Sequence, residues 1–94
     1  MKIVTREIKA HTPALYSTKD VPVEEKTIVA KFFHPMSDWT WYLVEMDKED
    51  GDLCFGYVDG ACPEWGYFRL SELEQNNVER DIYFRPKKAK EVIK

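Results

Sequence analysis

The chain has little of what most catalytic and metal-binding sites are built from. It holds two histidines, two cysteines and four glycines in 94 residues, and each scarcity removes a class of chemistry. The histidines and cysteines stand as His11, His34, Cys54 and Cys62, without CxxC or HxxxH spacing, so a structural zinc site lacks its usual ligand pattern. The glycines, Gly51, Gly56, Gly60 and Gly66, are scattered through hairpins and form no phosphate-cradling loop before a helix. Nucleophilic catalysis would have to draw on the same two histidines. Cys54 lies inside an apolar run and reads as a core residue, which leaves a Cys62 and His34 couple as the arrangement to weigh. No apolar run approaches the roughly 20 residues that cross a bilayer, and Met1 to Ala10 lacks the apolar centre of a secretory leader. The expectation is a cytoplasmic chain with free thiols, no cofactor, no metal and no membrane association.

Basic charge is in short supply as well. Fourteen Lys and Arg face seventeen Asp and Glu, for a formal net charge of -3. Non-specific nucleic-acid coats work by neutralising phosphates, and this balance argues against one. What the chain does have is large apolar side chains: 44% hydrophobic and 14% aromatic residues, enough for one core without metals or disulfides. A single domain over 1–94 follows from the length.

Alternation of apolar and polar residues in MKIVTREIKA suggests a short first strand, with Ile3 and Thr5 on one face and Val4 and Arg6 on the other. Thr12 followed by Pro13 suggests a helix start over Ala14, Leu15 and Tyr16, and Val21 before Pro22 an extended return. Residues 27–33 and 39–46 are dense in β-branched and aromatic side chains and predict two strands joined antiparallel by the loop 34–38. Asp50-Gly51 marks the turn into a third strand, 53–59, and 65–70 reads as a fourth. Ser71 and Glu74 have capping-box spacing for a short helix over 72–75. Asn76-Asn77 ends it. A last strand over 81–85 stops at Pro86, and the tail 87–94 reads as an amphipathic basic segment, helical or frayed. Strict alternation places Trp39, Trp41 and Leu43 on one face and Tyr42, Val44 and Met46 on the other. The sum is an α+β single domain: a mostly antiparallel curved sheet or small open barrel of about five strands with short helices. Apolar groups on both faces leave three outcomes: the sheet curls, its second face is covered by helices and termini, or an aromatic face awaits a partner.

Asp47, Glu49, Asp50 and Asp52 suggest calcium at first sight. The twelfth position counted from Asp47 is Val58, where a calcium loop needs a bidentate acid, so a solvated turn is the better account. Trp39, Trp41, Tyr42, Phe55, Tyr57, Trp65, Tyr67 and Phe68 would suit stacked nucleobases if basic residues interleaved. Thr40, Glu45, Asp59 and Glu64 stand there instead, with Arg69 alone basic, which favours core packing for most of them. Trp65, beside Glu64 at a strand entrance, is the candidate for a partly exposed anchor. Glu79-Arg80-Asp81 could hold a carboxylate in a fork, and reads first as an ion pair fixing a strand end.

The segments LYSTKDVPVEEKTIVAKFF, WTWYLVEMD, CFGY, EWGYFRLSEL and VERDIYFRP followed by KKAKEV run in order from about Leu15 to Val92. As a set they resemble a small bacterial family catalogued as domain of unknown function twenty-nine fifty-eight. The residues that fit its pattern are Trp41, Phe55, Gly56, Glu64, Gly66, Tyr67, Leu73, Arg80 and Asp81. His34, Cys54 and Cys62 do not belong to it, which weakens a cysteine and histidine mechanism. Many members carry a longer insertion where this chain has only Gln75-Asn76-Asn77. The resemblance implies carriage on mobile elements and brings no activity or cofactor.

Three functions are carried forward. The first is a non-enzymatic protein-interaction module, with Trp41, Glu64, Trp65, Tyr67, Arg80 and Asp81 as binding residues and an unidentified protein partner. The second is nucleic-acid association through the basic residues Arg85, Lys87, Lys88 and Lys90 with Arg69 and Arg80. The third is a small enzyme that needs Glu64, Arg80 and Asp81 to converge in one pocket. Catalytic residues are not expected, and the oligomeric state is left open.

Overall fold

The computed structural model describes residues 3–93. Thr5 sets the first element: its hydroxyl accepts the Ile8 N–H at 3.0 Å, and helix α1 runs Arg6–His11. The expected first strand is therefore a capped helix, with Met1 and Lys2 outside the described residues. Val4 and Ile8, four apart, share the side that packs on the core. Thr12 does not open a helix as its place before Pro13 suggested. It closes α1, donating its hydroxyl to the Ile8 carbonyl at 2.6 Å. Residues 15–20 form turns, anchored at their start by an isolated parallel bridge from Ala14 to Met46. Pro22 is extended as expected (φ -56°, ψ 145°) and leads into one 3-10 turn, Val23–Glu25.

The predicted strand 27–33 is broken at Val29. Strand β1 (Thr27–Ile28) leaves the main sheet, while β2 (Ala30–Phe33) stays in it. Strands β3 (Thr40–Met46), β4 (Leu53–Asp59) and β5 (Glu64–Arg69) follow as antiparallel neighbours, and helix α2 spans Leu70–Gln75. The last strand is β6, Glu79–Arg80, rather than 81–85. Asp81 ends it by turning the chain: its carboxylate accepts the Tyr83 N–H at 3.0 Å and its carbonyl the Phe84 N–H at 3.2 Å. In the tail, β7 (Lys87–Lys88) pairs with β1 and α3 covers Ala89–Val92. The main sheet has the order β5-β4-β3-β2-β6, all antiparallel. It is open, with β5 and β6 as its edges.

A β-bulge decides which side chains face the core. The β3–β4 register shifts between Leu43 and Glu45, so one extra residue lies between Leu43 and Met46. Met46 therefore joins Trp41 and Leu43 on one face, where strict alternation had put it with Tyr42 and Val44. That face, with Phe32, Cys54, Phe68, Leu70, Leu73 and Val78, is the closed core. Gly56 is obligatory at the bulge, since a Cβ there would lie 1.8 Å from the Tyr42 carbonyl oxygen.

Helix α2 begins at Leu70, earlier than the Ser71 cap predicted. The Glu72 carboxylate accepts the Arg69 N–H at 3.3 Å, while Ser71 gives its N–H and its hydroxyl to Asp52 at 2.8 and 3.0 Å. Glu74, expected to close a box with Ser71, accepts the Ile3 N–H at 2.8 Å instead. The turn 47–52 is thus more than a solvated loop. Asp47 and Asp50 fold the turn on themselves, and Asp52 pins the next helix. Burial works to raise the Asp52 pKa, but the Ser71 hydrogen bonds and Arg69 outweigh it and hold the carboxyl below its ordinary value. No helix among the described residues is long and apolar enough to cross a membrane.

Candidate functional site

The second face of the sheet differs from the first. Tyr42, Val44 and Glu45 of β3, Phe55 and Tyr57 of β4, and Trp65 and Tyr67 of β5 point to it. At its centre Ile28, Val44 and Ala89 are buried under the β1–β7 ribbon and α3, with Phe84, Val92 and Ile93 packed around them. Toward β5 the cover stops. Seven rings form one unbroken run there: Tyr16 to Tyr67 at 6.4 Å, Tyr67 to Phe55 at 5.2 Å, Phe55 to Trp65 at 6.0 Å, Trp65 to Tyr57 at 5.3 Å, Tyr57 to Tyr42 at 6.3 Å and Tyr42 to Phe84 at 6.5 Å. Lys87 caps the far end, 5.3 Å above the Phe84 ring. The near end is open: Tyr16 is 61% and Tyr67 54% exposed.

Tyr16 is held there against its conformational preference. Its φ is 69°, a left-handed backbone that a bulky side chain adopts only when the surroundings impose it. Glu45 imposes it. This carboxylate is 3% exposed and accepts the Tyr16 N–H at 2.8 Å, the Thr18 N–H at 3.1 Å and the Thr18 hydroxyl. The Lys26 ammonium, also buried, donates to the Thr18 carbonyl and, at 2.8 Å, to its hydroxyl. A charged network under the 16–18 turn thus fixes the exposed ring from below. Burial, with lesser help from Tyr16 and Glu45, raises the Tyr67 phenol above its ordinary pKa, and burial with Asp59 raises that of Tyr42. Both rings are neutral hydrogen-bonding groups at physiological pH.

The residues singled out in the sequence fall in three places. Trp65 and Tyr67 lie on the aromatic run, Trp65 half-buried and Tyr67 exposed, with exposed Glu64 at the strand entrance. Trp41 is on the opposite face, half-buried against the core with Trp39 5.8 Å away. Arg80 and Asp81 are at the far edge: Arg80 donates to the Ile3 carbonyl at 2.6 Å, and Asp81 pairs with Lys31 at 3.8 Å. Glu64 and Arg80 sit on the two outer strands of five, roughly 19 Å apart by strand spacing, so the trio required for an enzyme does not share a pocket.

The basic group is dispersed and largely engaged. Lys88 and Lys90 both bind Glu25, at 2.8 and 2.7 Å, and Arg69 lies 3.7 and 3.4 Å from Asp50 and Asp52. The two lysines pull the Glu25 carboxyl from 4.5 down to about 2. Cys54 is buried and Cys62 exposed, both as free thiols, and burial pushes the Cys54 thiol up to about 12, far from a reactive thiolate.

Sequence reading missed Tyr16, Thr18, Lys26 and Glu45. A signal was present: Glu45 is the one charge inside the apolar run Trp41 to Met46, and a charge in such a strand requires partners supplied from elsewhere in the chain.

Fold and site together define a small α+β domain whose open antiparallel sheet is sealed on one face and aromatic, half-exposed on the other. The chain belongs to the family described as Protein of unknown function (DUF2958), whose model matches residues 3–92. Searches of the curated proteins and of the solved structures find no match.

Proposed function

We propose that the chain is a non-enzymatic protein-interaction module that binds its partner through the aromatic face, with Tyr16, Tyr67 and Trp65 as anchors. One observation carries this reading: Tyr16 is exposed in a strained backbone conformation that a buried carboxylate maintains. The buried carboxylate needs the backbone of the 16–18 turn, yet the ring that the turn carries is left in solvent. Tyr and Trp are the side chains that supply binding energy with little loss of conformational freedom. Glu64 opens β5 next to Trp65 and is exposed, with its side chain on the other side of the strand. The family resemblance suggests a bacterial mobile element as the setting, and the proposed compartment is the cytoplasm. Nucleic-acid association has less support, because Lys88, Lys90 and Arg69 already face carboxylates.

Affinity capture from host lysate tests this, comparing the native chain with a Tyr16→Ala, Tyr67→Ala double variant, each with and without nuclease. A protein recovered by the native chain in both nuclease conditions, and lost by the variant, is the expected result. Recovery only without nuclease moves the reading to nucleic acid, and equal recovery by the variant removes the aromatic face from it.

A further inference from the structure

Strand β5 is an edge whose backbone has been left open. Two hydrogen bonds fix the phase of the β4–β5 ladder: Leu70 N–H to the Asp52 carbonyl at 3.0 Å, and Asp47 N–H to the Leu53 carbonyl at 2.8 Å. Bonding alternates along an antiparallel pair, so Glu64, Gly66 and Phe68 bond inward to Val58, Gly56 and Cys54, their register partners. Trp65, Tyr67 and Arg69 turn their N–H and C=O groups outward. Arg69 is already used, its N–H by Glu72 and its carbonyl at the start of α2. The groups of Trp65 and Tyr67 find no partner among the described residues, and these are the two residues whose rings lie on the aromatic face.

Gly66, between them, has no reason to be glycine inside one chain. Its φ is not positive, and a Cβ built on it would meet nothing within 4 Å. Glycine weakens a strand interior, and one that the chain itself does not require marks the approach of another backbone. Its register partner Gly56 is the contrast, being required by the Tyr42 carbonyl.

We infer that β5 pairs antiparallel with β5 of a second copy, about a two-fold axis at Gly66. In this register Trp65 faces the second copy's Tyr67, and Tyr67 its Trp65. The free N–H and C=O groups of both strands are then all satisfied, with two bonds in each of two hydrogen-bonded pairs. Gly66 meets its own image in the non-bonded pair between them. The alternative register centred on Tyr67 would draw on Arg69, whose groups are taken. Side-chain parity is kept, so the aromatic faces of the two copies join into one surface twice as wide. The assembly closes at two chains, since the other edge, β6, is only two residues long.

Cross-linking tests the register. In a Cys62→Ser background, Gly66→Cys places two thiols in a non-bonded pair with Cα atoms about 4.5 Å apart, within the span of a disulfide. Glu64→Cys, on the same face of the same strand, would oppose the second copy's Phe68. With oxidised glutathione, Gly66→Cys is expected to form a covalent dimer many-fold faster than Glu64→Cys. Excess Cys62→Ser chain, which carries the native edge, is expected to slow it by competition. Adding Tyr67→Pro removes the outward N–H together with the Tyr67 ring and is expected to abolish the advantage, whereas adding Tyr67→Ala, which removes the ring and keeps the N–H, is expected to preserve most of it. Equal rates for the two cysteines, or no effect of the competitor, would overturn the inference even if Tyr67→Pro fails to fold.

Discussion

The two faces of the sheet are built from the same strands and do opposite things. On the closed face, Phe32, Leu43, Met46 and Cys54 are completely buried and every ring but the marginal Trp39 and Trp41 is sealed under α1 and α2. On the other, the run of seven rings is assembled, partly roofed by α3 and then left open at Tyr16 and Tyr67. A protein optimising stability alone would have covered both. The difference teaches that aromatic richness in a short chain divides between packing and display, and that the division is set by where the covering elements stop.

The largest expected effect lies on the closed face. Phe32→Ala removes a fully buried ring and is expected to lower unfolding free energy by about 4 kcal/mol in urea denaturation. Next is Glu45→Ala, which strips the Tyr16 and Thr18 N–H groups of their acceptor and leaves the Lys26 ammonium without the neighbouring charge. About 3 kcal/mol is expected from the same measurement, with faster amide exchange at 16–18. Third is the glycine pair in register across β4 and β5. Gly56→Ala meets the Tyr42 carbonyl and is expected to cost about 2 kcal/mol, whereas Gly66→Ala has open space and is expected to stay within about 0.5 kcal/mol of the native chain.

The smallest effect concerns the roof of the aromatic face. Glu25, held at about 2 by Lys88 and Lys90, ties the 3-10 turn to β7 and α3. A depressed folded-state pKa stabilises above the unfolded value of 4.5 and loses that contribution as pH falls toward about 2. Acidification through that window is expected to loosen α3 and alter Trp65 fluorescence. The groups are exposed, so added salt at neutral pH is expected to act weakly in the same direction. Glu25→Gln should remove the part of this response that comes from α3, leaving the contribution of Asp52 at the start of α2.

Much of this was legible in the sequence, and the failures have physical causes. Strands β3, β4 and β5 and the Gly51 turn, with φ 62°, follow from residue type and alternation. Alternation cannot show a skipped residue, so the bulge that moves Met46 to the core was invisible. Its causes, Glu45 needing Thr18 and Gly56 accepting the close Tyr42 carbonyl, are long-range. At the N-terminus Val4 and Ile8 are four apart, a helical signal that competed with an alternating one, and Thr5 as a cap decided it. The Asp81 to Arg85 segment has strand composition, yet the Asp81 side chain bonds its own backbone and turns it. Among candidate site residues, Trp65 and Tyr67 lie on the aromatic face because strand alternation puts both on one side of β5. Arg80 and Asp81 were grouped with them only because sequence cannot show that β6 lies at the other edge.

The central claim is that the aromatic face is displayed rather than required for folding. Urea denaturation of the Tyr16→Ala, Tyr67→Ala double variant beside Phe32→Ala tests it most directly. The double variant is expected to keep its unfolding free energy within about 1 kcal/mol of the native chain, while the single core substitution loses several times that. A double variant as unstable as Phe32→Ala would contradict it, and would make the open face a second core.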